Sequence, residues 1–197
     1  MARVTKGPAE RKNELIDVAE RLFLERGYEN TTVSDIVKEV GVAQGTFYYY
    51  FASKHDILDA VIEGEIDEPE KKIISIARQA DKDAVFKLRD MADVILRFQT
   101  AKRGLIEHVH EESNALMHEK MERRIIARLA PTMTGVIEDG MAKGALSTDY
   151  PEETAEFLIA AIIFLFHQPD IDAERQERLH AALQKILDKI FRLNGPS

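Results

Sequence analysis

The chain has 197 residues, 45% of them hydrophobic and 31% charged, with only 10 glycines and 6 prolines, values that suit one globular domain or a small one beside a larger and favour helices over a turn-rich β fold. No cysteine is present, so disulfides, thiolate metal sites and cysteine nucleophiles are all excluded, which fits a reducing compartment. A net charge of −8 speaks against a uniformly basic nucleic-acid binder, yet residues 1–12 carry Arg3, Lys6, Arg11 and Lys12 against Glu10 alone, so this arm is +3 and the rest of the chain −11.

The polar start has no apolar run behind it. Phe157 to Phe166, the most apolar stretch, spans 10 residues where a bilayer crossing needs about 20. A soluble, cytoplasmic protein without a membrane partner is the expectation. The basic arm, taken alone, is equally explained as a solvated terminus.

In chain order, Leu15, Val18, Ala19, Leu22 and Phe23 recur at three- and four-residue spacing and predict a helix from about Pro8 to Arg26, stopped by Gly27. Thr32 and Asp35 form the T-x-x-D version of a capping box, which opens a second helix with Val33, Ile36, Val37 and Val40 as its buried face and Gly41 as its end. A third short helix follows at about Ala43 to Tyr50. Ser53, Lys54, His55 and Asp56 read as another capping box, opening a fourth helix through Ile57, Leu58, Val61 and Ile62, with Pro69 as a kink or boundary near its end. Beyond it, helical patterns cover about Ala84 to Ala101, Leu105 to Leu116, His118 to Ala142 with a kink at Pro131, Glu152 to His167 and Ala173 to Leu193. Nothing reads as a strand, so an all-α fold is expected, with no internal repeat.

Two short helices joined across Gly41 and Val42 are the sequence image of a helix-turn-helix, whose second helix enters the major groove of DNA. Glycine suits the left-handed turn, and Val42 can plug the angle between the helices. At 100° per residue, Phe47 and Phe51 share one face of the third helix and should anchor it. That leaves Gln44, Gly45, Thr46, Tyr48, Tyr49 and Tyr50 as a polar, aromatic, close-approach surface: glutamine pairs bidentately with adenine, hydroxyls suit phosphate oxygens, and a threonine methyl can touch thymine. Packing of a tyrosine into a core is the competing explanation for the triplet.

The run from Thr31 to Ile36, then Gly41 to Phe51, then Ser53, Lys54 and Leu58, resembles the DNA-binding domain of the TetR (tetracycline-repressor) family, contiguously from about Glu10 to Ile62. The resemblance implies a one-component, ligand-responsive transcriptional regulator, usually a repressor, which binds a palindromic operator as a homodimer and is released by a small effector. It implies that Thr32 caps the second helix and touches phosphate, that Gln44, Gly45 and Thr46 meet base edges or nearby backbone, that Tyr48, Tyr49 and Tyr50 contact phosphate or thymine, and that Lys54 binds phosphate. Ala43 stands where many members carry serine, and Tyr50 where histidine is common. Residues 1–52 would then be the helix-turn-helix DNA-binding domain with its basic arm, and 53–197 a helical effector-binding and dimerisation domain, joined through the fourth helix.

Beyond residue 65 or so the resemblance rests on helix number and order. Leu158, Ile162 and Phe166, with Leu179, Leu183, Ile186 and Ile190, are the expected dimer interface from the last two helices. Phe86, Phe98, Met117, Met121, Met133, Phe157 and Phe164, with His110 as a polar handle, are candidates to line a pocket for an apolar or aromatic effector, although ordinary core packing explains the apolar ones equally well.

His108, His110, Glu111, Glu112 and His118 hold metal-ligand chemistry at poor spacing, since His108 and His110 point about 200° apart on a helix. No metal or cofactor is expected. No G-x-S-x-G, P-loop, dinucleotide glycine fingerprint or H-E-x-x-H is present, so an enzyme is not expected, and a helical interaction module is the rival to a DNA-binding regulator.

Overall fold

The computed structural model describes residues 7–106, 115–166 and 172–192, and the side chains among them except those of 99–106, 166 and 188–192. Every element among the described residues is helical: α1 (Pro8–Arg26), α2 (Val33–Val40), α3 (Gln44–Tyr50), α4 (Lys54–Ala77), α5 (Ala84–Ile106), α6 (Ala115–Ala142), α7 (Pro151–Phe166) and α8 (Ala173–Arg192). Contacts divide the chain into two compact units, residues 1–65 with 105–121, and residues 66–104 with 122–197.

The first unit is built on the expected apolar stripes. Leu15, Ala19, Leu22 and Phe23 of α1 are buried, with Ile36 and Val37 of α2, Phe47 of α3, Phe51, and Ile57, Leu58, Val61 and Ile62 of α4. Gly27 closes α1 at φ 86°, a conformation a side chain resists, and its N–H bonds the Phe23 carbonyl. Thr31 is fully buried in the following turn, with its hydroxyl 2.9 Å from the Gly27 carbonyl oxygen and 3.2 Å from that of Leu22. The turn is thereby tied to the end of α1.

The Thr32–Asp35 box forms as expected. The Asp35 N–H donates to Thr32 Oγ1 at 3.1 Å, and the Thr32 N–H and hydroxyl donate to Asp35 Oδ2 at 2.9 and 2.5 Å. At Ser53 the box is displaced. The Asp56 N–H donates to Ser53 Oγ at 3.2 Å, but the Asp56 carboxylate accepts from the Ala52 N–H at 2.9 Å rather than from Ser53.

In the second unit Ile66, Ile73, Leu88, Met91, Ile95, Ile125, Leu129, Met133, Ile137, Ala155, Ile159, Ile162 and Leu187 are buried. Neither internal proline ends its helix. α4 runs eight residues past Pro69, and α6 eleven past Pro131. A mid-helix proline costs about 3 kcal/mol, and burial of Ile66 and Ile73 around the first, and of Leu129 and Met133 around the second, offsets it. The expected helix at Leu105 to Leu116 differs too: α5 carries the chain through Ile106, α6 begins at Ala115, and His108, His110, Glu111 and Glu112 lie outside the described residues.

Polar contacts fix the helix ends. Lys87, buried on α5, donates to the Ala77 carbonyl at 2.9 Å and so caps α4. Arg128 of α6 bonds Glu70 and, at 2.9 Å, Asp67 of α4, and Glu70 first, then Asp67, holds its guanidinium above the ordinary pKa. No helix among the described residues is long and apolar enough to cross a membrane.

Gly140 is required by packing. A Cβ there would lie 2.5 Å from Leu146 Cδ1 and 2.6 Å from Ala84 Cβ, and the latter has no rotamer with which to retreat. Gly140→Ala is expected to lose about 1–3 kcal/mol of stability, the usual cost of overpacking, as a lowered urea midpoint. The hydrogen bonds from Thr32 hold the Asp35 carboxyl below its ordinary pKa. A group depressed in the folded state contributes stability above its unfolded pKa of about 3.9 and loses it as pH falls through the folded value. Carboxyl NMR should therefore show Asp35 titrating below an unpaired aspartate, and in a Thr32→Ala variant its midpoint should rise towards the ordinary value.

Candidate nucleic-acid interface

α2 and α3 meet across Gly41, which adopts the left-handed conformation at φ 74°, ψ 36°. The Val42 N–H bonds the Val37 carbonyl at 3.0 Å, closing α2 and redirecting the chain into α3 within three residues. Val42 is half-buried in that angle. α3 starts at Gln44 on Ala43, which provides no side-chain cap, so no hydroxyl or carboxylate answers the first amides of this helix.

A helix of seven residues is held by its packing rather than by its own propensity. Phe47 is wholly buried, Phe51 nearly so, and their rings lie 5.7 Å apart. With both phenylalanines inward, Gly45 and Tyr49 stand exposed on the opposite side, Tyr48 is exposed on the flank and Gln44 at the open start of the helix, and Thr46 and Tyr50 are half-buried. Tyr49 is 76% exposed and stacks edge-on against Tyr50 with ring centroids 4.8 Å apart, while Tyr48 meets Phe47 in the same way at 5.5 Å. The triplet thus forms a braced aromatic ridge, not a core packet. α3 itself bears no charged residue.

A Cβ built on Gly45 meets nothing within 4 Å. Glycine is unfavourable in a helix by up to about 1 kcal/mol relative to alanine, and nothing inside the chain demands it at this position.

Two residues expected on phosphate already have partners. Both donors of Thr32 are engaged by Asp35. Lys54, half-buried at the start of α4, donates from Nζ to the Tyr28 carbonyl at 2.8 Å and lies 4.1 Å from the centroid of the Tyr28 ring, an arrangement that pins α4 onto the turn between α1 and α2. Burial raises the pKa of the Tyr28 phenol. On the neighbouring surface, Arg21 of α1 donates to Glu39 of α2 at 2.8 Å and sits 3.5 Å from Glu25, so one guanidinium is shared by two carboxylates. Thr31, Tyr28 and the structural part played by Lys54 escape sequence reading because their partners are set by the turn, not by helix periodicity.

The residues expected in the effector pocket are divided between the two units. Met117 and Met121 fall in the first unit, the former buried, while Phe86, Phe98, Met133, Phe157 and Phe164 fall in the second. Met133 is buried in core; Phe86 is 49% exposed beside Arg89, and Phe157 and Phe164 are 76% and 67% exposed. His110 lies outside the described residues, and His118 is half-buried on α6. Among the described residues no three His, Cys, Asp or Glu side chains gather as a metal-binding group.

Of the residues expected between subunits, Ile162 is buried within its own chain, Leu158, Leu179 and Leu183 are half-buried, and Ile186 is 47% exposed. The side chains of Phe166 and Ile190 lie outside the description. Phe157, Phe164 and Leu165 of α7 are exposed.

Residues 15–61 match the family model "Bacterial regulatory proteins, tetR family", and residues 97–184 match "Tetracyclin repressor-like, C-terminal domain". The chain is 41% identical over 64 residues to the HTH-type transcriptional repressor KstR2 of Rhodococcus jostii (strain RHA1), covering 32% of this chain and 31% of that protein. With KstR2 of Mycobacterium tuberculosis, too, the match spans about a third of the relative's own length (34%). A longer alignment joins it to the HTH-type transcriptional repressor DhaR of Mycobacterium sp. (strain GP1), at 26% identity over 189 residues, 94% of this chain and 93% of that one. The fold is also that of the fatty acid degradation regulator FadR from Bacillus halodurans, at a TM-score of 0.70, 22% identity and 93% and 96% of the two chains. With one family model on the helix-turn-helix and a second on the helices that follow, the chain belongs to the TetR family of bacterial regulatory proteins.

Proposed function

We propose that this chain is a ligand-responsive transcriptional regulator, a repressor, that binds a palindromic operator as a homodimer in the cytoplasm and is released by a small apolar or aromatic effector. Residues 1–52 read DNA, and 53–197 sense the effector and dimerise. The observation that carries this reading is the outward face of α3. A short uncharged helix is anchored by two phenylalanines and presents Gln44, Gly45, Tyr48 and Tyr49 to solvent, with Thr46 half-buried beside them. Gly45 has no internal reason to be glycine, but a backbone or base edge lying against α3 supplies one.

In this reading Gln44 discriminates bases, the tyrosine hydroxyls, with Tyr50 at the edge, bond phosphate or meet thymine, and the basic N-terminal arm adds salt-dependent affinity. Thr32 and Lys54 act first as supports. Thr32 sets the start of α2, and Lys54 fixes α4 while its two remaining ammonium protons face phosphate. One reading head covers few base pairs, so two are needed, about 34–36 Å apart. The apolar residues that α7 and α8 leave outside, Phe157, Phe164, Leu165 and Ile186, supply the surface for a second copy. Repression follows the names of the relatives KstR2 and DhaR, and an apolar effector is in keeping with the FadR and KstR2 names.

Gel shifts on a selected operator test these assignments. Gly45→Ala should raise thermal stability slightly, by up to about 1 kcal/mol, while weakening operator binding about tenfold or more; full affinity in the alanine variant would contradict the close approach. Gln44→Ala should lose about 1–3 kcal/mol of discrimination at one base position and leave the others unchanged. Lys54→Met should lower stability by about 1–2 kcal/mol, the worth of a charged hydrogen bond, and weaken cognate and scrambled duplexes alike. Selective loss on the cognate site alone would place Lys54 in base reading.

A further inference from the structure

α6 and α7 border a groove of about 480 Å³, lined by Ala127, Ala130, Pro131 and Thr134 of α6 and Glu152 and Glu156 of α7. All six belong to the second unit. The volume lies within the ~300–1,000 Å³ usual for small-molecule sites, and Ala127, Ala130 and Pro131 give it apolar lining. None of the residues predicted from sequence to line an effector pocket takes part.

The polar groups of the groove are matched in kind. Pro131 has no N–H, so the Ala127 carbonyl one turn earlier lacks its helical donor. Thr134 Oγ1 is buried, with no hydrogen-bond partner among the described residues, a situation folded proteins seldom leave unanswered. Glu152 and Glu156 stand at i and i+4 on one helix, where like charges repel. Glu152 lies in the first turn of α7, where the helix dipole favours it; Glu156, a turn further on, has no such support. Neither has an ion-pair partner among the described residues. The lining therefore offers a carbonyl, a hydroxyl and two carboxylates, and no cation.

We propose that this groove binds a protonated amine with an apolar body. The ammonium lies between Glu152 and Glu156, relieving their repulsion and donating to them and towards the Ala127 carbonyl and Thr134, while the apolar body covers Ala130 and Pro131. An ammonium brings three donors and one positive charge to a surface made of acceptors. An alcohol lacks the charge, and a carboxylate is repelled.

Calorimetric titration of the full chain with 4-phenylbutylamine tests this, with 4-phenylbutanol and 4-phenylbutyrate as neutral and anionic probes of the same body. The expected result is saturable binding of one amine per chain, at least tenfold tighter than the alcohol, with no binding of the acid. Glu152→Gln/Glu156→Gln should weaken the amine at least tenfold. Glu138→Gln/Glu177→Gln, which removes the same charge from exposed positions elsewhere, should leave it unchanged. Thr134→Val, with thermal unfolding recorded for every variant, provides a groove change that keeps the charge and should also weaken the amine. Alcohol binding as tight as amine binding, equal losses in the two glutamine pairs, or no saturable binding at all would overturn the proposal. The titration reads binding to the chain itself, so a negative result leaves the DNA-binding reading intact.

Discussion

Two phenylalanines hold α3 in place. α3 is seven residues long, far below the length at which a helix stands alone in water, so it exists because Phe47 and Phe51 are buried against the helices around it. Burying that stripe leaves the rest of the helix no choice of direction. With 100° between successive residues, fixing positions 47 and 51 inward turns 45 and 49 outward and leaves 48 on the flank, while Gln44 shares the azimuth of the phenylalanines and is exposed because it opens the helix. The same constraint explains the supports behind α3: the Gly41 turn sets its angle, the Thr32–Asp35 box sets the start of α2, and Lys54 on Tyr28 fixes the helix that follows. A rigid scaffold aiming a few exposed side chains is the general condition for reading base edges, since an error of an ångström in the helix position would misplace every donor and acceptor at once.

The acidic composition is no obstacle to such a role. Association with DNA depends on local charge: α3 itself is uncharged, and residues 1–12 carry a net +3. The second unit has a different economy of contacts. Ile66 and Ile73 on α4 and Leu129 and Met133 on α6 are buried on either side of the prolines, which is why Pro69 and Pro131 interrupt the backbone hydrogen bonding without ending either helix. Pro131 lines a groove shared with α7.

What could be read from the sequence was what is local. The capping box at Thr32, the glycine stops at 27 and 41 and the inward pair of phenylalanines each involve residues within four positions of one another, where helix geometry alone decides the neighbours. The contacts that sequence reading lacked span the chain: Lys54 reaches back 26 residues to Tyr28, and Arg128 reaches 58 and 61 residues to Glu70 and Asp67. Neither pattern repeats, so no periodicity announces it. α7 shows a third limit. It is apolar around most of its circumference, and a stripe through Leu158 and Ile162 looks as suitable for a partner as one through Phe157 and Phe164; only the packing of the chain on itself, which buries Ile162 and leaves the two phenylalanines outside, separates them. Pocket residues are hardest of all, because Met and Phe serve a core and a cavity equally well.

The most direct measurement is selection of duplex DNA from a random pool by the purified full-length chain, followed by gel shifts of the enriched duplex over a range of salt concentrations. The expected result is a palindromic winner, bound by a dimer, whose two half-sites lie about one helical turn apart and whose affinity falls steeply with salt. A folded protein that enriches no duplex above non-specific binding would contradict it.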